Sequence, residues 1–165
     1  MSPHRAGCFR DVALRIAEIA LHEFEGVELQ RIHGDCHRGN ILERSEDGLM
    51  IIDFDDMAMG PPVQDIWLLL PDHAGRARRE IHLILEGYEQ FMEFDESSLR
   101  LVEILRAMRI IYFLAWCSTQ VDDYKFRFNF PDWGSDMFWQ REVDDLKHQL
   151  QAVMSDERLK TRWGR

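Results

Sequence analysis

The sequence predicts an α+β fold that is mostly helical and contains one small β-hairpin. Apolar residues recur every three or four positions through most of the 165 residues, as in helices packed on a core. Two short segments, residues 41–42 and 49–53, consist of apolar residues except for Asp53 at the end of the second. Turn-forming residues at 45–48 separate them, and together they predict the two strands. No linker rich in glycine, proline or serine interrupts the pattern, so we expect residues 1–165 to form a single domain.

The first predicted helix ends near Gly26, since glycine commonly terminates helices. The short segment 27–32 then leads into a polar loop, and the run 49–53 is expected to be a buried strand. The apolar face of the helix consists of residues three or four apart: Phe9, Val12, Ala13, Ile16, Ile19, Ala20 and Phe24.

The rest of the chain is predicted to be a helical subdomain over residues 64–155. Asp65 can cap a helix that begins at Ile66, because a carboxylate accepts the unpaired N–H groups of a first turn. Longer helices are predicted over residues 79–91, 97–120 and 135–153. In the second of these, one stripe expected to face the core consists of Leu101, Leu105, Met108 and Tyr112.

The composition excludes several classes of protein. A net charge of −10, from 20 basic and 30 acidic side chains, argues against a nucleic-acid partner. Three cysteines without zinc-finger or redox spacing favour a reducing compartment. The first residues lack a signal-peptide core, and the longest apolar run, 110–117, is too short to cross a bilayer. We therefore expect a cytoplasmic protein that binds neither nucleic acid nor membranes.

The segment HGDCHRGN, residues 33–40, holds an unusual density of reactive groups. Gly34 and Gly39 have the spacing of a phosphate-binding loop. However, Asn40 stands where that motif needs lysine, and Asp35 would repel phosphate. The phosphate-loop interpretation is therefore rejected.

A zinc site is a second interpretation of the same segment, with His33, Cys36 and His37 as ligands. These ligand types suit zinc, but no second cluster of cysteine or histidine completes a closed shell, so this alternative stays open without being favoured. Cys36 receives no nucleophilic role, because nothing near it in the sequence lowers the pKa of a thiol.

A phosphoryl-transfer site explains the acidic residues on both sides of the hairpin. Such a site needs a carboxylate to accept the proton of the attacking hydroxyl and oxygen ligands for Mg²⁺. Asp35 and Asn40, five positions apart, supply a base and a neutral oxygen ligand. Hairpin pairing is expected to bring Asp53, an anionic ligand at the end of the second strand, next to Asn40.

At these residues the chain resembles a known family. HGDCHRGNIL, IIDFDD and MGPPVQDIWLLL, with LRAMRIIYFLAW further on, resemble the aminoglycoside-phosphotransferase-like kinases, most closely the stress response kinase A group of bacterial serine/threonine protein kinases. The resemblance extends from the first helix to about Trp139. It implies the C-terminal lobe of a protein-kinase-like fold, with a catalytic loop over residues 31–42 and a metal-binding strand over residues 49–56.

The resemblance also implies roles for single residues. Asp35 would be the catalytic base, and Asn40 and Asp53 would hold Mg²⁺ for an ATP-dependent reaction. His33 and Asp65 would brace the catalytic loop from behind, although Asp65 as a simple helix cap remains an equal alternative. The residues that bind the nucleotide are not indicated. The expected phosphate acceptor is a protein serine or threonine, or a small hydroxyl-bearing molecule.

Kinases of this kind also have an N-terminal lobe with a phosphate-covering loop and a phosphate-pairing lysine. The sequence contains no segment of that kind, so we expect a C-terminal lobe alone, with another chain as one source of the missing lobe. Two alternatives to an active protein kinase follow. One is an inactive lobe fragment or regulatory binding module, and the other is a small-molecule kinase.

Overall fold

The structure of the chain is a computed structural model that describes residues 3–46 and 48–155. The helices are α1 (Pro3–Glu23), α2 (Val63–Trp67), α3 (Arg78–Tyr88), α4 (Val102–Thr119), α5 (Tyr124–Asn129) and α6 (Asp136–Ser155). The strands are β1 (Gln30–Ile32), β2 (Ile41–Arg44), β3 (Gly48–Ile51) and β4 (Ala58–Gly60). Short 3-10 helices cover Arg38–Asn40 and Glu96–Leu101. The predicted α+β class with a preponderance of helix is confirmed.

The chain divides into two compact units. One unit combines the described residues up to His22 with those from Glu103 onward. The other runs from Glu23 to Val102 and contains all the strands named above and the HGDCHRGN loop. We call these the helical unit and the loop unit. That residues 1–165 form a single kinase-like lobe stays a prediction.

The loop unit contains two small antiparallel sheets. The predicted hairpin is present as β2 and β3, with Ile41 opposite Ile51 and Arg44 opposite Gly48. Its turn was predicted at residues 45–48, of which Asp47 lies outside the described residues. The second sheet pairs β1 with β4 and was not predicted, because strands of three residues carry too little alternation to be recognised.

The metal-binding strand predicted over residues 49–56 is shorter than expected. β3 ends at Ile51, and the acidic residues Asp53, Asp55 and Asp56 lie in the loop that follows. The expectation of a buried strand was also wrong, since the β3 side chains are exposed, Leu49 by 73%. An apolar run shows that a segment favours burial but does not show what covers it.

A buried ion pair stabilises the loop unit where its chain begins. The carboxylate of Glu23 is fully buried, and the Nε of Arg100 donates to its Oε2 at 3.1 Å. Arg100 Nη2 also donates to the backbone carbonyl of Glu23 at 3.2 Å, and Nη1 donates to the carbonyl of Ser97 at 2.7 Å. One guanidinium thus joins the end of α1 to the second 3-10 helix.

Arg100→Met is expected to lower the free energy of unfolding by about 3 kcal/mol, because it removes the cation that compensates for the buried carboxylate of Glu23. Urea unfolding followed by circular dichroism measures the change. The double variant Glu23→Gln with Arg100→Met is the control and should recover part of the loss. A single variant as stable as the parent would contradict a structural role for the pair.

The helical unit buries one face each of α4 and α6. The predicted α4 stripe was partly wrong, because Met108 and Tyr112 are 36% and 67% exposed. The helix is apolar around most of its circumference, so periodicity alone does not choose the buried face. The core residues that α4 contributes are Ile104, Ala107, Leu114 and Cys117. Those of α6 are Phe138, Val143, Leu146, Gln149 and Val153.

A polar contact lies inside this helical core. Gln149 donates from Nε2 to the carboxylate and to the backbone carbonyl of Glu103, at 3.0 Å in each case. Both residues are buried, so the amide compensates for part of the cost of removing the carboxylate from water. Across both described ranges, no helix is long and apolar enough to span a membrane.

Candidate active site

The HGDCHRGN loop lies between β1 and β2 in the loop unit and carries Asp35 and Asn40. Asp53 follows the end of β3. The backbone N–H of Ile52 donates to the carbonyl of Asn40 at 3.0 Å, so the residue before Asp53 is bonded to Asn40 itself. The structure therefore places Asn40 beside the residue that precedes Asp53, at the open end of the hairpin.

Asp65 lies within the first turn of α2 rather than before the helix. α2 begins at Val63 after Pro62, which provides no side-chain cap, so the expected capping role of Asp65 was wrong. Its carboxylate instead accepts the backbone N–H of His33 at 2.7 Å and that of Gly34 at 2.9 Å. Two charge-assisted hydrogen bonds thus attach the start of the loop to α2.

His33 attaches the same segment to the end of β3. Its Nδ1 accepts the backbone N–H of Asp35 at 3.3 Å, which leaves Nε2 as the donor to the carbonyl of Ile52 at 2.9 Å. The ring is buried and packs against Phe54 with a centroid distance of 4.9 Å. His33 is therefore a core histidine whose contacts join the segments that precede Asp35 and Asp53.

The conformation of Gly34 is constrained by its backbone angle, by the nearby carbonyl of Asp56 and by a hydrogen bond from Gln64. Its φ of +88° is the left-handed conformation that favours glycine, and a Cβ at this position would collide with the carbonyl oxygen of Asp56. Its own carbonyl accepts a hydrogen bond from Gln64 Nε2 at 3.0 Å, and Trp67 Nε1 donates to Gln64 Oε1 at 3.1 Å. The peptide before Asp35 is thus fixed by hydrogen bonds from α2.

Gln64 is a site residue that the sequence reasoning missed. A glutamine on a short helix gives no signal of its own, since most such side chains face water. The available sequence signal for Gln64 is its position directly before Asp65. Two neighbouring helix residues can bind the N–H and carbonyl groups of one loop segment, as Asp65 and Gln64 do at Gly34.

Asn40 is buried, and its amide is oriented by the loop. Nδ2 donates to the backbone carbonyl of Asp35 at 3.0 Å, which leaves Oδ1 as the acceptor atom of the side chain. Asp53 is exposed and has a φ of +66°, the left-handed region that aspartate and asparagine tolerate better than other non-glycine residues. An amide oxygen and a carboxylate together are hard oxygen donors that suit Mg²⁺.

The donor set does not suit zinc. In the part of the chain that the structure describes, no three His, Cys, Asp or Glu residues are grouped so that they could hold a metal ion. The alternative built from His33, Cys36 and His37 therefore receives no support. Mg²⁺ commonly takes only one or two carboxylates and completes its shell with phosphates and water, so Asn40 and Asp53 still fit that ion.

Cys36 is buried beside Asp35. Burial raises the pKa of its thiol, and the negative charges of Asp65 and Asp35 raise it further. The thiol therefore stays protonated at neutral pH, which agrees with the absence of a nucleophilic role. Burial, together with the charge of Glu142, likewise raises the pKa of Cys117.

Iodoacetamide is expected to modify the half-buried Cys8 at least about tenfold faster than Cys36 or Cys117, because only thiolates react and a raised pKa lowers their fraction. Peptide mass spectrometry of the folded chain at pH 8 gives the three rates. The same reagent in urea is the control, since unfolding should equalise them. Rapid modification of Cys36 in the folded chain would show that the loop opens or that its thiol is activated.

The segment that carries these residues is also the one that matches known proteins. A profile of the phosphotransferase enzyme family matches residues 3–102, which include Asp35, Asn40 and Asp53. Among solved structures, the AMP-bound complex of spectinomycin phosphotransferase is similar over 90% of this chain and 46% of that protein. The TM-score is 0.52 at 16% sequence identity, so this similarity concerns the fold.

Curated relatives are similar over most of this chain. Stress response kinase A of Escherichia coli K12 is 44% identical over 138 residues, which are 84% of this chain and 42% of that protein. Serine/threonine protein kinase RdoA of Salmonella typhimurium is 45% identical over 123 residues, 74% of this chain and 37% of that protein. The chain thus spans about two fifths of the length of these relatives.

Proposed function

Because the chain belongs to the phosphotransferase enzyme family, we propose that it carries the catalytic base and the Mg²⁺ ligands of an ATP-dependent kinase. Asp35 accepts the proton of the attacking hydroxyl. Asn40 and Asp53 hold the metal, while His33 and Asp65 keep the loop in place. The observation that carries the proposal is the way hydrogen bonds converge on the backbone around Asp35.

That convergence supplies what a phosphoryl-transfer catalyst needs. Asp65 binds the two peptide N–H groups that precede Asp35, and Asn40 binds the carbonyl of Asp35 itself. The base is thereby fixed relative to a metal ligand before any substrate arrives. Since the protein contributes mainly positioning and electrostatics to phosphoryl transfer, a preorganised loop of this kind favours catalysis over a purely structural turn.

The metal ion would be bound jointly by the protein and by the phosphates of ATP. Mg²⁺ held by Asn40 Oδ1 and the carboxylate of Asp53 would neutralise charge on the phosphates of ATP. The exposed apolar side chains of β3 are proposed to contact the nucleotide or the lobe that covers it. That lobe comes from the remaining length of a longer protein or from another chain.

The proposed acceptor is a serine or threonine of a protein. Two relatives above 40% identity carry kinase names, one of them serine/threonine protein kinase, whereas the spectinomycin phosphotransferase shares only the fold at 16% identity. A small hydroxyl-bearing acceptor is the second candidate, supported by that fold alone. The third is a regulatory module that binds nucleotide without transferring phosphate.

The test measures transfer of radiolabelled phosphate from ATP in the presence of Mg²⁺. The proteins are the 165-residue chain and the same chain joined to the N-terminal lobe of E. coli stress response kinase A. Acceptors are a generic serine- and threonine-containing protein and spectinomycin. We expect transfer to the protein by the joined form, and only weak Mg²⁺-dependent nucleotide binding by the 165 residues alone.

Each other outcome has a distinct meaning. Transfer to spectinomycin instead of protein would support the small-molecule alternative. Nucleotide binding without transfer by the joined form would support the regulatory module and contradict the kinase proposal. Strong transfer by the 165 residues alone would show that no further lobe is needed.

A further inference from the structure

His37 is the histidine of the loop that the proposed function does not use. Its ring lies between two groups of the same loop. Nδ1 accepts the backbone N–H of Gly39 at 2.9 Å, and Nε2 lies 3.5 Å from Oδ2 of Asp35. The side chain of Asp35 is 19% exposed and that of His37 is 40% exposed, so the contact is partly shielded from water.

The contact to Gly39 determines the tautomer of the neutral ring. An N–H group can donate only to a nitrogen that carries no proton, so Nδ1 is unprotonated and the proton of neutral His37 is on Nε2. The nitrogen that faces the carboxylate of Asp35 is therefore a donor. With the opposite tautomer, two lone pairs would face each other across the 3.5 Å gap.

The imidazole ring of His37 occupies the space that a side chain at residue 39 would need. A Cβ at residue 39 would lie 2.8 Å from Cε1 and 3.0 Å from Nδ1 of His37, closer than side chains normally approach. The backbone also holds the ring in place, because the N–H of His37 donates to the carbonyl of Asp35 at 2.8 Å. The position of the imidazole beside the base is thus built into the loop.

We propose that His37 is a positioning residue for Asp35: its Nε2–H, held by the contact of Nδ1 with Gly39, orients the carboxylate that accepts the substrate proton. The hydrogen bonds described above act on the backbone of this segment, whereas Nε2 of His37 faces the carboxylate of Asp35 itself. A donor beside Oδ2 restricts rotation of that carboxylate. The distance of 3.5 Å is longer than a full hydrogen bond, and such contacts often shorten when substrate binds.

A simpler role for His37 is to cap the 3-10 helix Arg38–Asn40, which its Nδ1 also does. Two substitutions separate the roles. His37→Asn keeps an acceptor for the N–H of Gly39, because asparagine bonds to the backbone two residues on, but it is too short to reach Asp35. His37→Gln is long enough to place an amide donor near Asp35, but it is a poor cap.

The kinetic experiment rests on the proposed function and uses the chain joined to the N-terminal lobe. We expect His37→Asn to lower kcat by about 10- to 100-fold, in line with the cost of small misplacements of catalytic groups, while thermal stability and ATP affinity stay near parental values. His37→Gln should retain more kcat and less stability. His82→Asn, on the exposed surface of α3, is the control and should match the parent. If His37→Asn and His37→Gln rank in the same order in kcat as in thermal stability, His37 acts only as a helix cap and the proposal is overturned.

A second measurement is independent of phosphate transfer. The 165-residue chain labelled with ¹⁵N in histidine is examined by NMR at pH 8, alone and as Asp35→Asn. We expect the Nε2–H tautomer at His37 and a change in its Nε2 shift in the variant. An Nδ1–H tautomer, or a shift indifferent to Asp35, would overturn the proposal even if the kinase function holds. If the NMR shifts are as expected but the parent chain joined to the N-terminal lobe transfers no phosphate, the kinase function is contradicted and the contact between His37 and Asp35 is supported.

Discussion

Asp35→Asn is expected to reduce phosphate transfer by about 10²- to 10⁴-fold, the usual contribution of a general base, with little loss of ATP affinity. The variant keeps the shape of the side chain but removes its negative charge and its ability to accept a proton. The hydrogen bonds that Asp65 and Asn40 make to the loop backbone do not involve the side chain of Asp35. The loop should therefore keep its conformation in the variant.

Transfer is measured as kcat in the chain joined to the N-terminal lobe, and ATP affinity by calorimetry on the same protein. A fall in kcat without a matching change in affinity is the signature of a group that acts in the transition state. Asp11→Asn, on the exposed surface of α1, is a matched control for the loss of one negative charge. Near-parental turnover by Asp35→Asn would make Asp35 structural.

Replacement of Asp53 is expected to weaken Mg²⁺-dependent nucleotide binding by about 100-fold, or about 2.7 kcal/mol, while the chain stays folded. Asp53→Asn preserves the shape and the tolerance for φ near +66° but removes the charge that the metal needs. Asp53→Ala should show the same loss of binding and also lower stability, because alanine is strained in the left-handed region.

Asp53→Gly separates these two effects. Glycine adopts a positive φ without strain, so this variant should match or exceed the parent in stability and still fail to bind Mg²⁺ and ATP. Asp55→Asn removes a neighbouring exposed charge and is the control for local electrostatics. Calorimetry with ATP on the chain joined to the N-terminal lobe, in Mg²⁺ and in EDTA, gives the comparison. Equal Mg²⁺-dependent binding by parent and Asp53→Asn would remove Asp53 from the metal site.

Much of the arrangement could be predicted from residue types and spacing. An acidic residue and an asparagine five positions apart, followed by an acidic strand end, are the groups that phosphoryl transfer requires, and pairing of β2 with β3 places them together. The longer helices α1, α3, α4 and α6 were predictable because their apolar residues follow the helical period, whereas the short α5 was not predicted. Membership of the phosphotransferase enzyme family, expected from the same motifs, is confirmed.

Other features depend on contacts between residues far apart in the chain. The pairing of β1 with β4 joins segments about thirty residues apart and leaves almost no pattern in either. The buried face of α4 was mispredicted because an all-round apolar helix fits its neighbours in more than one orientation. Exposure of β3 was missed because hydrophobicity does not reveal whether a covering layer exists.

The sequence by itself determined the fold class, the family and the identity of the acidic and amide groups on the loop, because these follow from local periodicity and from the chemistry of single side chains. Only the tertiary structure decided how those groups are held. Asp65 binds the backbone of residues 33 and 34 instead of capping α2, and Gln64 binds the carbonyl of Gly34. Such hydrogen bonds depend on the three-dimensional placement of α2 beside the loop, and no spacing along the chain encodes that placement.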